Sequence, residues 1–117
     1  METVLIILVL LQVKHWYVDF VNQSSEEIAH KGLYLNWRGI THSLKHGIAT
    51  GVILIWFVPV EWAYFLAAVD LLLHYHIDWV KANYSNRDIS TKTFWNHLGL
   101  DQMAHQLVYI FIVWTLL

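Results

Sequence analysis

The chain has no cysteine, which excludes structural disulfides, thiolate metal sites and iron–sulfur clusters. Any metal must therefore be held by histidine and carboxylate. Charge is scarce too: charged residues make up 14% of the chain, against roughly 25% in soluble domains. Hydrophobic residues make up 57%, above the usual ~45–50%, a balance that argues against a water-soluble globule. No positive charge precedes the first apolar run, which opens Met1-Glu2-Thr3, and no small-residue cleavage site follows it. A secretory signal is thus a poor reading, and this first segment is expected to remain as a membrane span. There is one proline, no solenoid repeat and no low-complexity segment. No nucleic-acid partner is expected. A homo-oligomer or a membrane-protein partner fits so small a unit, but no small-xxx-small motif is read as its contact surface. What the chain does have is eight histidines among 117 residues, many for so apolar a sequence.

Four segments approach the ~20 residues that a bilayer's hydrocarbon thickness demands: about Thr3 to Val21, Ile40 to Val58, Glu61 to Val80 and His97 to Leu117. Pro59 cannot continue a helical hydrogen-bond ladder, so Pro59-Val60-Glu61 reads as a tight hairpin. Two polar connectors, roughly Asn22–Gly39 and Lys81–Asn96, lie on the other side. Ser24-Ser25-Glu26-Glu27 reads as a capping box opening a short helix toward His30. All seven basic residues (Lys14, Lys31, Arg38, Lys45, Lys81, Arg87 and Lys92) fall in the connectors or the helix ends beside them. The positive-inside rule then puts both connectors in the cytoplasm and both termini on the non-cytoplasmic side. Trp16, Trp37, Trp79 and Trp95 would form one aromatic belt, with Trp56, Trp62 and Trp114 opposite. The expectation is an all-α, four-transmembrane-helix antiparallel bundle over residues 1–117, multi-pass in the bacterial inner membrane.

Each span carries one i, i+4 pair of metal-ligand residues: His15/Asp19, His42/His46, His74/Asp78 and Asp101/His105. Residues four apart share a helix face, roughly 5–6 Å between Cβ atoms. Histidine precedes aspartate in spans one and three, and the order reverses in span four. An antiparallel bundle therefore stacks a shallow layer (Asp19, His42, Asp78, Asp101) over a deep one (His15, His46, His74, His105). Each ionisable group at a helix centre costs ~2.5–3.5 kcal/mol on insertion scales, so eight together need mutual compensation, which a divalent metal supplies. Imidazole and carboxylate suit zinc, with iron or manganese as alternatives. Two ions roughly 3.5–4 Å apart fit, and so does one ion on the histidines alone, with the aspartates orienting the rings. Lys81 shares a face with His74 and Asp78, where it would meet an anionic group. Asp70, one turn deeper than His74, reads as an acceptor or part of a proton path. His30, His76 and His97 read as interfacial, although Glu27 and His30 have ExxH spacing. Gln23, Gln102 and Gln106 read as network partners.

These residues resemble a family of small bacterial and phage membrane proteins known as domain of unknown function 3307. The likeness runs through His15-Trp-Tyr-Val-Asp19-Phe20 with Gln23 and Lys31, then His42-Ser-Leu-Lys-His46, His74-Tyr-His-Ile-Asp78-Trp-Val-Lys81 and Asp101-Gln102-Met-Ala-His105. Arg38-Gly39-Ile40-Thr41-His42-Ser43-Leu44 with His74-xxx-Asp78 is also similar, more loosely, to LexA-regulated, membrane-bound predicted metal-dependent hydrolases. Here His15/Asp19 stands where those proteins carry an early aspartate-rich segment.

The first functional expectation is a membrane-embedded metal-dependent hydrolase acting on a phosphoester or acyl group of a lipid or lipid-linked substrate. Metal would lower the pKa of coordinated water toward ~7, with Asp101 bridging metals or serving as general base and Lys81, Arg38 and Lys45 near the mouth. A metal-ion or proton transporter is the second, because intramembrane His/Asp chains mark such paths; polar residues largely stop below Asp70, which favours a closed site. Haem held by facing histidines is the third, opposed by the aspartates beside them. The fourth is a non-enzymatic membrane partner with a structural polar core.

Overall fold

Ser24 starts the first connector's structure: its Oγ accepts from Glu27 N–H at 3.2 Å, and Glu27 Oε2 accepts from Ser24 N–H at 2.8 Å. This reciprocal cap opens the short helix α2, Ser25–His30. It lies between the two halves of an entirely helical fold that the computed structural model describes for residues 1–117. The long helices are α1 (Glu2–Trp16), α3 (Trp37–Leu54), α4 (Val60–Tyr84) and α5 (Lys92–Trp114). They close into a ring in which α1 and α4 each pack against α3 and α5, while α2 packs on α3.

Helix ends differ from the apolar limits because hydropathy marks the apolar stretch, whereas caps mark the helix. Asn36 Oδ1 accepts from Arg38 N–H at 3.0 Å and starts α3 before its apolar run. Thr91 Oγ1 accepts from Phe94 N–H at 3.2 Å and starts α5 five residues before His97. Pro59 caps α4 rather than sitting mid-hairpin, and the turn falls over residues 55–59. α1 does not stop at Trp16: a π-helical turn, Tyr17–Val21, carries it on, and Asn22 N–H donates to Tyr17 O at 2.9 Å. Wide turns of this kind are rare and concentrate at functional sites.

Gly47 and Gly51, four apart on α3, form a small-xxx-small pair that is used inside the bundle. A Cβ at Gly47 would stand 2.9 Å from Leu71 Cβ and 3.0 Å from Ala67 O, so only glycine lets α3 and α4 approach this closely. Gly39 plays the same part for the connector, whose Lys31 Cα lies 3.3 Å from where its Cβ would be.

The core has two unlike ends. Toward the Pro59 turn it is apolar: Ile7, Leu11, Leu54, Ala63, Leu66, Val108, Tyr109, Ile112 and Val113 form one cluster. Toward the connectors it is polar, and twelve of the 26 buried residues are polar or charged. Large apolar side chains cover the outside instead, among them Val9, Val13, Ile48, Val52, Phe65 and Leu107, each more than half exposed. One helical stretch, Glu2–Val21, is long and apolar enough by composition to cross a membrane. The remaining three long helices have the length, at 1.5 Å per residue, but their inward faces carry the histidines, aspartates and hydroxyls that lower their hydropathy.

Candidate metal centre

The inward stripe of each long helix delivers its pair of histidine or aspartate residues to one place. In the deeper layer the four imidazoles stand side by side around the bundle axis. Ring centroids are 3.5 Å apart for His46–His74, 4.1 Å for His74–His105, 5.0 Å for His105–His15 and 5.7 Å for His15–His46. Asp19, His42, Asp78 and Asp101 lie over them. All eight expected residues thus meet in one cluster.

Asp19 sits on the π-helical turn at the middle of the cluster. Its Oδ1 is 2.9 Å from His46 Nε2, 3.0 Å from His42 Nε2 and 3.7 Å from His74 Nε2, while its Oδ2 is 3.2 Å from His15 Nε2. Asp78 is divided in the same way: Oδ2 faces His42 at 3.4 Å and His74 at 3.5 Å, and Oδ1 faces His105 at 3.4 Å. Asp101 Oδ1 completes the set, 3.5 Å from His105 Nε2. The donor atoms fall into three overlapping groups, Asp19/His42/His46/His74, His15/His74/His105 and Asp78/Asp101/His105, each with its atoms within 4.8 Å of one another. Both ring nitrogens of His74, Nε2 of His105 and Oδ1 of Asp101 are buried with no hydrogen-bond partner. Buried polar atoms are nearly always paired, so four orphans in one cluster need an explanation.

Around this centre four basic residues are paired with carboxylates. Lys31 Nζ reaches Asp78 Oδ2 at 3.3 Å, and Lys81 Nζ reaches Asp101 Oδ2 at 2.9 Å. Lys81 is therefore tied to a site carboxylate. Arg38 and Lys45 instead brace α2 against α3, through Glu26 at 2.5 Å and Glu27 at 2.6 Å. Burial pushes the Glu27 carboxyl up, but its hydrogen bonds with Lys45 and Ser24 N–H outweigh this and hold it below the usual carboxylate range. Glu27 thus caps and clamps rather than joining His30 in an ExxH ligand pair, and His30 Nδ1 turns back to Glu26 O at 2.8 Å. Gln23 meets His42 Nε2 at 2.9 Å. Gln102 meets His15 Nε2 at 3.1 Å and donates to Asp101 Oδ2 at 3.1 Å.

A third layer lies beneath the histidines, again with one residue from each helix: Lys14, Thr50, Asp70 and Tyr109. Lys14 Nζ is 2.6 Å from Asp70 Oδ2 and 3.2 Å from His46 Nδ1, and lies 4.8 Å above the Tyr109 ring. Thr50 Oγ1 donates to the same Asp70 oxygen at 2.5 Å, and Tyr109 OH meets His15 Nδ1 at 2.9 Å. Sequence reasoning placed Asp70 near here but left Lys14 at the helix end. The available signal was its place on the Ile7, Leu11, Lys14, Val18 stripe, the face that α1 buries.

Comparison with curated proteins and with solved structures gave no match. Residues 7–117 match the family described as "Protein of unknown function (DUF3307)", and the chain, carrying this four-helix cluster of histidine and aspartate, belongs to that family.

Proposed function

We propose that the protein is a membrane-embedded, metal-dependent hydrolase whose centre holds one or two divalent ions, zinc in the first instance. The observation that carries this reading is the convergence of eight donor residues with orphaned atoms at their middle. Donors around a tetrahedral zinc with bonds of about 2.0–2.1 Å stand about 3.3 Å apart. Asp19 Oδ1 lies 2.9, 3.0 and 3.7 Å from the Nε2 atoms of His46, His42 and His74, and all four residues offer donor atoms within 4.8 Å of one another, which supports these residues as holders of such an ion. Asp19, with its two oxygens facing different histidines and no lysine on either, would be the carboxylate suited to lie between two ions. The bridging role expected of Asp101 suits it better, because Lys81 and Gln102 hold Asp101 Oδ2, as Lys31 holds Asp78 Oδ2. Asp19, Asp78 and Asp101 together with Lys31 and Lys81 carry a net charge of −1, so a single divalent ion would leave less charge in the core than two.

A divalent ion there would supply Lewis-acid polarisation of a phosphoryl or acyl oxygen and a lowered pKa for coordinated water. Of the chain's own groups, Asp101 keeps Oδ1 free to accept a proton, and Lys81 fixes its orientation. Below the Lys14–Asp70–Thr50 layer the interior is apolar, which supports a closed site over a conducting path. The stacked His46 and His74 rings, 3.5 Å apart, are poor axial ligands for a porphyrin.

The polar interior and apolar exterior support four spans rather than one. The basic residues at the connector end support both termini on the non-cytoplasmic side of the bacterial inner membrane, with the centre toward the cytoplasm. A phosphoester or acyl group presented at that surface, on a lipid or lipid-linked molecule, is the substrate class. The test is metal content of the detergent-purified protein by plasma mass spectrometry, beside His46→Ala/His74→Ala. One or two equivalents, lost in the variant, support the reading and justify a hydrolysis screen; a metal-free, haem-free, folded wild type overturns it.

A further inference from the structure

Beside the metal centre, α4 and α5 part to leave a groove of about 440 Å³, within the roughly 300–1,000 Å³ of small-ligand pockets. Its walls are graded along the helix axes. Leu73 and Ile77 of α4 and Ala104 of α5 line the deeper part; Lys81, Ser85 and His97 line the end near the connector. From Leu73 to Ser85 the helix rises about 18 Å, little more than half of a hydrocarbon core about 30 Å thick. The groove opens sideways onto the apolar exterior, where Leu73 is 42%, Val80 49% and Leu100 51% exposed. Asp101 forms part of its inner wall, so the groove adjoins the donor cluster through the Lys81–Asp101 pair.

Apart from the Asp101 carboxylate, whose Oδ2 Lys81 and Gln102 already hold, the polar end is made of donors. Asn86 N–H donates to His97 Nδ1 at 2.9 Å, which leaves a neutral His97 with its proton on Nε2. Ser85 adds a hydroxyl, and Lys81 adds an ammonium whose other two protons remain after one serves Asp101. An anion with several acceptor oxygens, held at the end of a single hydrocarbon chain, complements this arrangement.

We propose that the α4–α5 groove is the lateral entry and binding site for a lipid phosphate, its chain against Leu73, Ile77 and Ala104 and its phosphate at Lys81, Ser85 and His97. This deepens the hydrolase reading by naming its substrate class, and rests on that reading only for the fate of the bound lipid. The anionic headgroup sits within reach of the Lys81–Asp101 pair, and the groove, not the connector surface, is the route in.

The test is native mass spectrometry of the full chain in detergent, titrated with lysophosphatidate, monoacylglycerol or inorganic phosphate. Lysophosphatidate should bind at least about tenfold more tightly than monoacylglycerol, the equivalent of one charge-assisted contact. Ala104→Trp, which fills the groove, and Lys81→Met should each weaken it by a similar factor; Val80→Trp, on the exposed lip, serves if Ala104→Trp fails to fold. Metal content should be unchanged in Ala104→Trp. Equal binding of lysophosphatidate and monoacylglycerol, full binding by the groove-filled variants, or complete displacement by equimolar inorganic phosphate would each overturn the proposal. A metal-free wild type that still binds lysophosphatidate selectively would sink the hydrolase reading and leave the groove assignment standing.

Discussion

Replacing Lys14 by methionine keeps the length of the side chain and removes its charge. The ammonium it deletes lies 2.6 Å from Asp70 Oδ2, with the two side chains 7% and 1% exposed. At that distance and an effective dielectric of about 20, the gross attraction is about 6 kcal/mol, offset by several kcal/mol of desolvation for each ion. The net contribution of the intact pair is therefore small, but breaking it strands Asp70, which costs about 3–5 kcal/mol. Lys14→Met is expected to lose that much stability. Lys14→Met/Asp70→Asn should recover at least half, because the amide oxygen of the introduced asparagine still accepts from Thr50 and no charge is left alone. The assay is unfolding in mixed micelles followed by far-ultraviolet circular dichroism, with chelator present so that metal affinity does not enter. If Lys14→Met changes stability by less than about 0.5 kcal/mol, the level of an ordinary surface substitution, Lys14 is solvated and the third layer does not exist as described.

Three further outcomes are expected. Gly47→Ala should destabilise by about 1–3 kcal/mol through overpacking, since its Cβ would meet Leu71 Cβ at 2.9 Å and Ala67 O at 3.0 Å. Gly51→Ala, meeting Ala67 Cβ at 3.4 Å, should be neutral or slightly stabilising; equal melting of the two variants would contradict the close α3–α4 approach. Tyr109→Phe removes the partner of His15 Nδ1 and should weaken metal binding about 10–100-fold, the usual effect of losing an outer hydrogen bond to a ligand; competition titration with a chromogenic chelator reads this directly. Glu27 is held below its ordinary value of 4.5 in the folded protein, so its contribution is complete above that value and disappears as pH falls through the lower, folded one. Melting curves of wild type and Glu27→Gln should differ at pH 7 and converge as pH drops below 4.5; a gap that widens on acidification would reverse the sign of the argument.

The clustering of these histidines and aspartates was legible because their pattern obeys the period of the helix and reverses with its direction. A histidine four residues from an aspartate or a second histidine, on each of four apolar segments, leaves little freedom once the segments pack. The Ser24 capping box was legible for the same reason: it is local. Three features were not. The π-helical turn at Tyr17–Val21 has no residue signature, since its wide hydrogen bond is a property of the packed chain. Lys14 looked like a boundary residue, because a cation beside an apolar run reads as topology until Asp70 across the bundle gives it a partner. Gly47 and Gly51 lay four apart in plain view, yet their use depends on which helix faces them. Hydropathy also marks α3, α4 and α5 less clearly than α1, because polar groups they turn inward lower it.

The even distribution of donors, two from each of four helices, has a consequence for how such a protein is assembled and lost. No single helix carries more than two of the eight: α1 with its π-helical turn brings His15 and Asp19, and the α3–α4 hairpin, with His42, His46, His74 and Asp78, lacks the other four. A metal that drew donors from all four helices would bind the closed ring in preference to any piece of it, and binding energy would become folding energy. At a free metal concentration about one hundred times the Kd this linkage adds about 2.7 kcal/mol. The abundance of the folded protein would then follow the supply of the ion, and starvation for it would deplete the folded chain before activity was ever in question.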